Sequence, residues 1–317
     1  MTPCWICLED TRDSATRYHR PCLETLFGVA RVPVIEVELA KLHTLALAMV
    51  GRTSLSGNQR KISLSLTPDR TTLQVALERA RFILKPQSQA YPHLPENEHI
   101  TMLLAKLTGI EVPPCGLVRL RDDSLAYIVA RFDRPASGGK RRQEDFCQLA
   151  EQAPKDKYKG SAELCARLLR KYASEPLIEV LKLYRLLVFV WWTGNGDMHL
   201  KNFSLLAAPD GLQRLSPAYD LVSTALVIPG DPLALPVTGK KDGLTRDTWL
   251  ELADYCRIGP RAAERVLAEI TAALEPALEL VGRSALPREY VAQYRALLEE
   301  RTIALGSAGR RKRSKPQ

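Results

Sequence analysis

The spacing of hydrophobic residues changes along the chain, and the predicted secondary structure changes with it. Residues 35–49 have apolar side chains at helical spacing, whereas residues 62–66 alternate apolar and polar side chains, as in a strand with one buried face. Residues 95–108 return to the i, i+3, i+4, i+7 pattern of a helix that begins at a proline. Segments 112–120 and 125–132 flank a short polar turn and predict a β-hairpin.

The second half of the chain is predicted to be mainly helical. A loose stretch rich in Pro, Ser and Gly, residues 135–140, marks the expected boundary between the two halves. Helices are expected at 162–173, 177–192, 246–256, 260–273 and 287–305. We therefore expect an α+β protein with two lobes, in which a mixed α/β half precedes a mainly helical half.

The composition is that of a folded protein whose positive charge is concentrated at one end. Of the 317 residues, 45% are hydrophobic and 26% are charged, so a large core can form and wholesale disorder is excluded. The net charge falls from +9 to +4 when the five cations of the last eight residues are left out. These five are Arg310, Arg311, Lys312, Arg313 and Lys315. The basic tail, residues 310–317, is either a solvated segment or a non-specific contact to DNA phosphates.

We find no pattern of a signal peptide or a transmembrane helix. Residues 1–20 carry charges and no apolar run, and no window of about 18 residues is both apolar and uncharged. The seven cysteines are an odd number, and four of them lie in apolar or helical contexts. These features predict a cytoplasmic protein with reduced thiols and no membrane association.

The strongest candidate for catalytic chemistry is the segment 194–203, which directly follows a predicted buried helix. Its Asp197 and Asn202 are separated by four residues, the spacing of a protein-kinase catalytic loop. An Asp there would accept the proton of the attacking hydroxyl, and the Asn would give a neutral oxygen to a divalent metal. Asp220 follows a plausible hairpin and could be the second metal ligand. The alternative is a polar turn in which Asn202 is only a capping residue.

The first half supplies residues that could bind phosphate. Lys85 ends an apolar strand and Glu98 lies in the first turn of the next helix, as in a kinase lobe where a helix glutamate holds the phosphate-binding lysine. The alternative makes Lys85 an edge charge and Glu98 a partner of the helix dipole. The turn at residues 53–61 contains Gly57 and ends at Lys61, so it could cradle phosphate or be a plain β-turn.

Seven ordered segments resemble the HipA-like serine/threonine kinases, which are the toxin partners of bacterial toxin–antitoxin systems. They are SLSGNQRK (54–61), ILKP (83–86), ENE (96–98), VARFDR (129–134), QEDFCQ (143–148), GDMHLKNFS (196–204) and PAYD (217–220). The resemblance spans about residues 30–300, and the short N-terminal region is similar to the compact HipT-type toxins. It implies a protein-kinase-like two-lobed fold that uses ATP and Mg²⁺.

The resemblance also implies a role for each matched residue. Asp197 would be the catalytic base, and Asn202 and Asp220 would hold Mg²⁺. Ser54 and Ser56 match serines that autophosphorylate, where the added negative charge would oppose ATP binding. Val129, Ala130 and Phe132 would form the hinge at adenine, although the family often has Glu at the position of Ala130. The other expected ATP-binding residues are Ser56, Gly57, Asn58, Gln59, Lys61, Lys85, Glu98, His199, Lys201, Asn202, Tyr219 and Asp220.

The partners implied by the resemblance are a small helix-turn-helix antitoxin, operator DNA through the antitoxin complex, and an aminoacyl-tRNA synthetase as the phosphorylated target. The predicted activity is thus that of a protein serine/threonine kinase toxin that arrests translation. Two alternatives remain: a catalytically silent module that binds nucleotide and antitoxin, and a small-molecule phosphotransferase. The expected organisation is an N-terminal segment 1–28, an N-lobe 29–134, a C-lobe 135–309 and the basic tail 310–317.

The N-terminal segment contains a separate candidate metal site. Cys4-x2-Cys7 and His19-x2-Cys22 provide four ligands with the spacing of a zinc site. The alternative is three free thiols and a surface imidazole. The kinase resemblance neither requires nor forbids Zn²⁺ at this position.

Overall fold

The computed structural model describes residues 2–11, 16–35, 61–76, 78, 80–88 and 90–306. Several predictions fall outside the described residues, namely the helix at 35–49 beyond Ile35, the turn that holds Ser54, Ser56, Gly57, Asn58 and Gln59, and the basic tail. The chain forms two compact units. The first comprises Met1–Gln143, Pro217–Ser223 and Glu279–Val291, and the second comprises Glu144–Ser216, Thr224–Leu278 and Ala292–Gln317.

In the described part of the first unit, six strands form a mixed sheet with the strand order β3-β5-β4-β6-β8-β7. A small hairpin, β1 and β2, precedes it. Strands β3 and β5 are parallel, and the other neighbouring strands are antiparallel. The strands are β1 (Thr2–Pro3), β2 (Asp10–Thr11), β3 (Val34–Ile35), β4 (Ile62–Leu66), β5 (Thr72–Val75), β6 (Phe82–Lys85), β7 (Cys115–Arg119) and β8 (Leu125–Ala130).

Among the residues that the structure describes before Gln143, the helices of this unit are α1 (Arg20–Phe27) and α2 (Leu94–Leu107). Helix α2 lies against β7 and β8, and residues from Pro95 to Met102 are all buried. The alternating apolar residues of β4 and β6, such as Leu64 and Phe82, are fully buried. Their burial places Lys85, at the end of β6, and the first turns of α2 in the same core.

The second unit is mainly helical. It begins within β9 (Gln143–Asp145), which forms a three-stranded sheet with β10 (Ser204–Ala207) and β11 (Gln213–Leu215). Its most buried helix is α5, in which eleven residues from Glu179 to Trp192 are buried. The helices that follow β9 are α3 (Phe146–Leu149), α4 (Ala162–Tyr172), α5 (Pro176–Trp192), α6 (Arg246–Tyr255), α7 (Pro260–Ala272), α8 (Leu274–Gly282) and α9 (Arg288–Gly306). Helices α8 and α9 each contribute residues to both units.

The secondary structure follows most of the sequence predictions closely. The predicted strand at 62–66, the helix at 95–108 and the hairpin of 112–120 with 125–132 are observed as β4, α2 and the β7–β8 pair. The five helices predicted in the second half are all observed, with ends that differ by one residue or less. Helices α1, α3 and α8 were not predicted from the sequence. Within the described residues, no helix combines the length and the apolar character that a bilayer crossing needs.

Candidate active site

Lys85, Glu98 and Asp220 form a buried ionic cluster in the first unit. The Lys85 ammonium donates to Glu98 Oε1 and to Asp220 Oδ1, while Lys61 Nζ lies 2.6 Å from Asp220 Oδ2. The side chains of Lys85 and Glu98 are each only 3% exposed, and that of Asp220 is 23% exposed. A lysine that is almost fully buried needs such partners to keep its charge. The predicted Lys85–Glu98 pair is therefore present, and Asp220 bridges Lys85 and Lys61.

The cluster shifts the pKa of each of its acids and of Lys85. Burial disfavours the charge on Lys85, but the carboxylates of Asp220 and Glu98 outweigh it and raise the pKa of the ammonium. Burial raises the pKa of Glu98 to about 7, against the opposing effect of Lys85. Burial also opposes ionisation of Asp220, yet Lys61 and Lys85 hold its pKa well below the usual range. Asp220 is thus a carboxylate at neutral pH, whereas Glu98 changes its charge near neutral pH.

Helix α2 fixes the segment that carries Asp220 as well as the partner of Lys85. The Asn97 side chain accepts a hydrogen bond from Ser223 N–H at 2.8 Å and donates one to Ser223 O at 2.9 Å. Asp220 itself has a φ of 55°, a left-handed conformation that costs energy for a residue with a Cβ. Two adjacent residues of α2 therefore act together: Glu98 binds Lys85, and Asn97 holds the segment that carries Asp220. No role was predicted for Asn97, although it lies in the segment ENE (96–98).

The predicted hinge residues also lie in the first unit. Val129 is buried in β8, and the N–H groups of Ala130 and Arg131 donate to Pro114 O and Arg81 O at 2.8 Å. Both N–H groups are therefore hydrogen-bonded within the first unit and are not available to bond a nucleotide base. Beyond them, the Phe132 ring lies 5.6 Å from the Tyr219 ring, centroid to centroid. The structure thus brings together two of the predicted ATP-binding residues, Phe132 of the predicted hinge and Tyr219.

In the second unit, the loop after α5 is shaped by two glycines. Gly194 has a φ of 67°, the left-handed conformation that commonly ends a helix at glycine. A Cβ on Gly196 would overlap Asp231 Oδ2 and would lie 2.6 Å from Pro232 O, so a larger residue would force its neighbours to move. Gly196 N–H donates to Thr224 Oγ1 at 2.7 Å, which anchors the loop. The close packing and the hydrogen bond at Gly196 therefore restrict the backbone just before Asp197.

Asp197 and Asn202 are tied together by the backbone of this loop. Asn202 Nδ2 donates to Asp197 O at 3.0 Å, and Asp197 N–H donates to Asn195 Oδ1 at 3.0 Å. The Asp197 side chain is 51% exposed, whereas Asn202 is buried. The Tyr158 hydroxyl donates to Asp197 Oδ1 at 2.6 Å. The hydrogen bond to Asp197 O fixes the orientation of the Asn202 amide, and Asp197 Oδ1 already accepts a hydrogen bond from a hydroxyl.

His199 and Lys201, the remaining predicted phosphate-lining residues of this loop, have partners in the same unit. His199 is buried, with its ring 5.1 Å from the ring of Tyr158 and its Nε2 3.9 Å from Asp197 Oδ1. Lys201 Nζ lies 2.7 Å from Asp145 Oδ2. Asp145 caps α3, where it forms a reciprocal capping box with Gln148. Neither Tyr158 nor Asp145 was assigned a role from sequence, since each contacts the loop across a long sequence separation.

The four N-terminal ligand candidates also converge, at a different place in the first unit. The ligand atoms of Cys4, Cys7, His19 and Cys22 all lie within 4.8 Å of one another. Cys4 is buried and the other three side chains are partly exposed. None of the seven cysteines forms a disulfide.

Comparison with known proteins gives consistent matches. Residues 53–278 match the model of a family described as "HipA-like C-terminal domain". The chain is 33% identical over 243 residues to "Putative kinase Y4mE" of Sinorhizobium fredii, covering 73% of this chain and 57% of that protein. It is 27% identical over 264 residues to "Serine/threonine-protein kinase toxin HipA" of Shewanella oneidensis, covering 71% and 59%. The chain thus spans somewhat more than half the length of these curated relatives.

One solved structure extends the match to the fold. The Shewanella oneidensis MR-1 HipA chain, solved as a complex with HipB and operator DNA, superposes with a TM-score of 0.67 at 24% identity. The superposition covers 80% of this chain and 66% of that chain. This similarity confirms the predicted α+β, protein-kinase-like fold class.

Proposed function

The chain belongs to the family of HipA-like C-terminal domains, and from this premise we propose that it is an ATP-dependent protein serine/threonine kinase. The observation that carries the proposal is the buried cluster of Lys85 with Glu98 and Asp220. A kinase needs a lysine held for the phosphates of ATP and an acid held for the metal. A buried three-residue ionic cluster has no comparable benefit for stability, because the desolvation of its charges offsets most of their attraction.

The residues present suit a hard divalent cation. Mg²⁺ takes hard oxygen ligands. By the family pattern these would be the carboxylate of Asp220 and the amide oxygen of Asn202. The low pKa of Asp220 keeps its carboxylate charged at neutral pH, and the Asp197 carbonyl orients the Asn202 amide. Mg²⁺, when bound, would neutralise charge on the phosphates during transfer. We propose that the Lys61 ammonium, which pairs here with the Asp220 carboxylate, pairs with a phosphate oxygen when ATP is bound.

In the proposed reaction Asp197 acts as the general base. It accepts the proton of a serine or threonine hydroxyl while the hydroxyl oxygen forms a bond to the γ-phosphorus. The bond between that phosphorus and the bridging oxygen breaks, and ADP leaves with the electron pair. The Tyr158 hydroxyl already donates to Asp197 at 2.6 Å, which supports the view that this carboxylate can receive an acceptor hydroxyl. Lys85 would hold the phosphates, and Glu98 would hold Lys85.

The remaining ATP contacts are proposed from the family pattern and from local geometry. His199 and Lys201 would line the phosphates, as would the turn of Ser56, Gly57, Asn58 and Gln59. The aromatic pair of Phe132 and Tyr219 would contact adenine, because the N–H groups of Ala130 and Arg131 are already bonded within the first unit.

The biological role is proposed from the relatives. One relative is named a kinase toxin, and a similar structure contains a partner protein and operator DNA. We propose that this chain is likewise a toxin that associates with an antitoxin on operator DNA. Its target would be an aminoacyl-tRNA synthetase, and phosphorylation of Ser54 and Ser56 would weaken ATP binding by charge repulsion. Its site of action would be the cytoplasm.

The test is phosphate transfer by the purified full-length protein from labelled ATP with Mg²⁺, either to itself or to a panel of aminoacyl-tRNA synthetases. Replacing Asp197 by Asn should lower the rate by roughly 10²- to 10⁴-fold, the usual contribution of a general base. The half-exposed position of Asp197 predicts an unchanged melting temperature. Asp210→Asn, an exposed acid in the β10–β11 turn, is the matched control and should retain activity.

The outcomes separate the competing functions. Equal labelling by wild type and Asp197→Asn would overturn the role of Asp197. Binding of ATP without any transfer by the wild-type protein would instead identify a silent nucleotide-binding module. Transfer to a small molecule but to no protein, with no self-labelling, would identify a small-molecule phosphotransferase.

A further inference from the structure

The N-terminal hairpin and α1 bring four metal-binding side chains to one point. Cys4 and Cys7 lie in the turn between β1 and β2, where Cys4 N–H donates to Glu9 O and Leu8 N–H donates to Cys4 O, both at 2.8 Å. Leu8 has a φ of 62° although it is not a glycine, so the turn holds a strained conformation. His19 and Cys22 lie at the start of α1. The two pairs therefore come from two separate elements, as in many structural zinc sites.

The distances between the ligand atoms suit a single tetrahedral ion. With Zn–S bonds of about 2.3 Å and Zn–N bonds of about 2.0 Å, neighbouring ligand atoms are roughly 3.5 to 3.8 Å apart. His19 Nδ1 lies 3.3 Å from Cys7 Sγ and 3.8 Å from Cys22 Sγ. All four ligand atoms lie within 4.8 Å of one another.

The second nitrogen of His19 fixes the ring for ligation. Nε2 lies 3.1 Å from the carbonyl oxygen of Asp10, and a carbonyl can only accept, so Nε2 carries the proton. In the neutral ring Nδ1 is then the nitrogen without a proton, and it faces the Cys7 and Cys22 thiols. A ligating histidine whose other N–H donates to a backbone carbonyl is the common arrangement in zinc sites.

The same segment is attached to the sheet and to α2. Trp5 O accepts from Leu117 N–H at 2.8 Å, and the Tyr18 hydroxyl donates to Leu117 O at 2.9 Å. These bonds cover the outer edge of β7, which is an edge strand of the described sheet. Ile6 O accepts from the buried His99 Nε2 at 3.2 Å, and His99 follows Glu98 on α2. The contact is close, since a Cβ on Gly116 would lie 2.8 Å from Ile6 Cγ1.

We propose that Cys4, Cys7, His19 and Cys22 bind one structural zinc ion that holds the N-terminal segment against β7 and α2. The ion joins the β1–β2 turn to the first turn of α1, which are otherwise connected by the chain and a few hydrogen bonds. Because the ligands come together only in the folded protein, zinc binding contributes directly to the stability of this part of the first unit.

The test is the metal content of the full-length protein, purified under reducing conditions from cells grown with added zinc. Wild type should carry one zinc ion per chain by elemental mass spectrometry. Cys7→Ser and Cys22→Ser should each lose it. Cys256→Ser is the matched control, because this buried thiol lies outside the cluster, and it should retain the ion. Exchange with Co²⁺ should produce the absorption bands of thiolate–cobalt charge transfer in wild type and in the control only.

A second measurement uses wild-type protein alone, so the test does not depend on the folding of a variant. A zinc chelator should make Cys4, Cys7 and Cys22 reactive toward a thiol reagent and should lower the melting temperature. Amide hydrogen exchange should become faster in residues 2–27, in α2 and in β7, and added zinc should reverse these changes. None of these readouts requires kinase activity.

Two results would overturn the proposal. One is wild-type protein that contains no zinc and gives no thiolate–cobalt band when Co²⁺ is added to the freshly reduced form. The other is zinc retained at the wild-type level in both Cys7→Ser and Cys22→Ser. Iron in place of zinc after growth with both metals would also refute zinc as the bound ion.

Discussion

Glu98 is the residue of the cluster whose charge changes within the neutral pH range. Its pKa is raised to about 7 from a usual value of 4.5, first by burial. Since the folded state holds the proton more tightly than the unfolded state, the contribution of Glu98 to stability is greatest at low pH. It declines as the pH rises from 4.5 to about 7. The ion pair with Lys85, however, requires ionised Glu98. Pairing is therefore favoured above about pH 7, whereas the stability contribution of Glu98 is greatest at low pH.

We expect phosphate transfer to fall as the pH is lowered below about 7, by on the order of tenfold per pH unit for a single ionisation. Glu98→Gln should remove this acid limb, because its amide does not titrate. It should also lower the rate at pH 8 by roughly ten- to a hundredfold, the equivalent of a hydrogen bond to a charged group. The measurement is the rate of self-labelling from pH 5.5 to 8.5.

Glu96→Gln is the control for this pH profile. Glu96 is also a buried acid of α2 and burial raises its pKa, but it is bonded to Gln87 at 2.9 Å and not to Lys85. Its replacement should leave the acid limb in place. If Glu98→Gln retains the wild-type pH profile, the ionisation of Glu98 does not control Lys85.

At the scale of single elements, the loop between α5 and β10 depends on close packing at Gly196. Asp231 and the backbone of Pro232 occupy the space where a Cβ would lie. The Gly196 N–H is bonded to Thr224 Oγ1 in the same packed region. Any displacement of Gly196 is transmitted to Asp197, the next residue, and through its carbonyl to Asn202.

Gly196→Ala should therefore destabilise the protein by about 1 to 3 kcal/mol, the usual cost of overpacking. It should also lower phosphate transfer, since Asp197 is shifted. Gly282→Ala in α8 is the control, because nothing lies within 4 Å of its added Cβ. Urea unfolding would give the free energies of unfolding. Equal values for the two variants would mean that the loop relaxes around the added methyl group without cost.

Elements with a strong local pattern were predictable from the sequence, and the exceptions have physical reasons. Strand β4 and helix α2 show clear periods of two and 3.6 residues, so their existence and ends followed from the sequence. Helix α1 has only eight residues, too few for the period to stand out. Helix α8 has Pro276 near its start, where a proline is tolerated but interrupts the pattern.

The site was only partly predictable for a related reason. The Lys85–Glu98 pair joins a strand to the next helix, so the sequence order alone suggests it. The bonds of Asn97 to Ser223 and of Tyr158 to Asp197 cross long sequence separations and leave no local signal. They were found only in the structure.

At the scale of the whole chain, the units are not continuous in sequence. Segments 217–223 and 279–291 belong to the first unit although they follow most of the second. Local periodicity and composition report only on neighbouring residues. They predict one boundary near residues 135–140, but they do not predict that segments 217–223 and 279–291 belong to the first unit. The division into 29–134 and 135–309 therefore stays a prediction about sequence regions, while Asp220 lies within the first unit.

The distribution of charge predicts how the whole chain behaves toward DNA. Five of the cations that make up the excess of +9 lie at positions 310–315. If these cations contact phosphates, each contact releases a counterion, and the slope of log affinity against log salt changes by about 0.9 per contact. Replacing all five by Gln should weaken binding of the full chain to a non-specific DNA duplex and reduce the slope by up to about 4.5.

The control must lower the net charge equally while keeping the tail. Gln at five exposed cations of the body, namely Lys155, Lys240, Lys241, Arg261 and Arg265, gives the same net charge of +4. Fluorescence anisotropy over a salt series should show a nearly wild-type slope for this control and a much smaller slope for the tail variant. If the two variants lose affinity to the same extent, net charge alone governs binding and the tail has no specific part in it. A difference confined to the tail variant would mean that the cations act because they are clustered at the end of the chain.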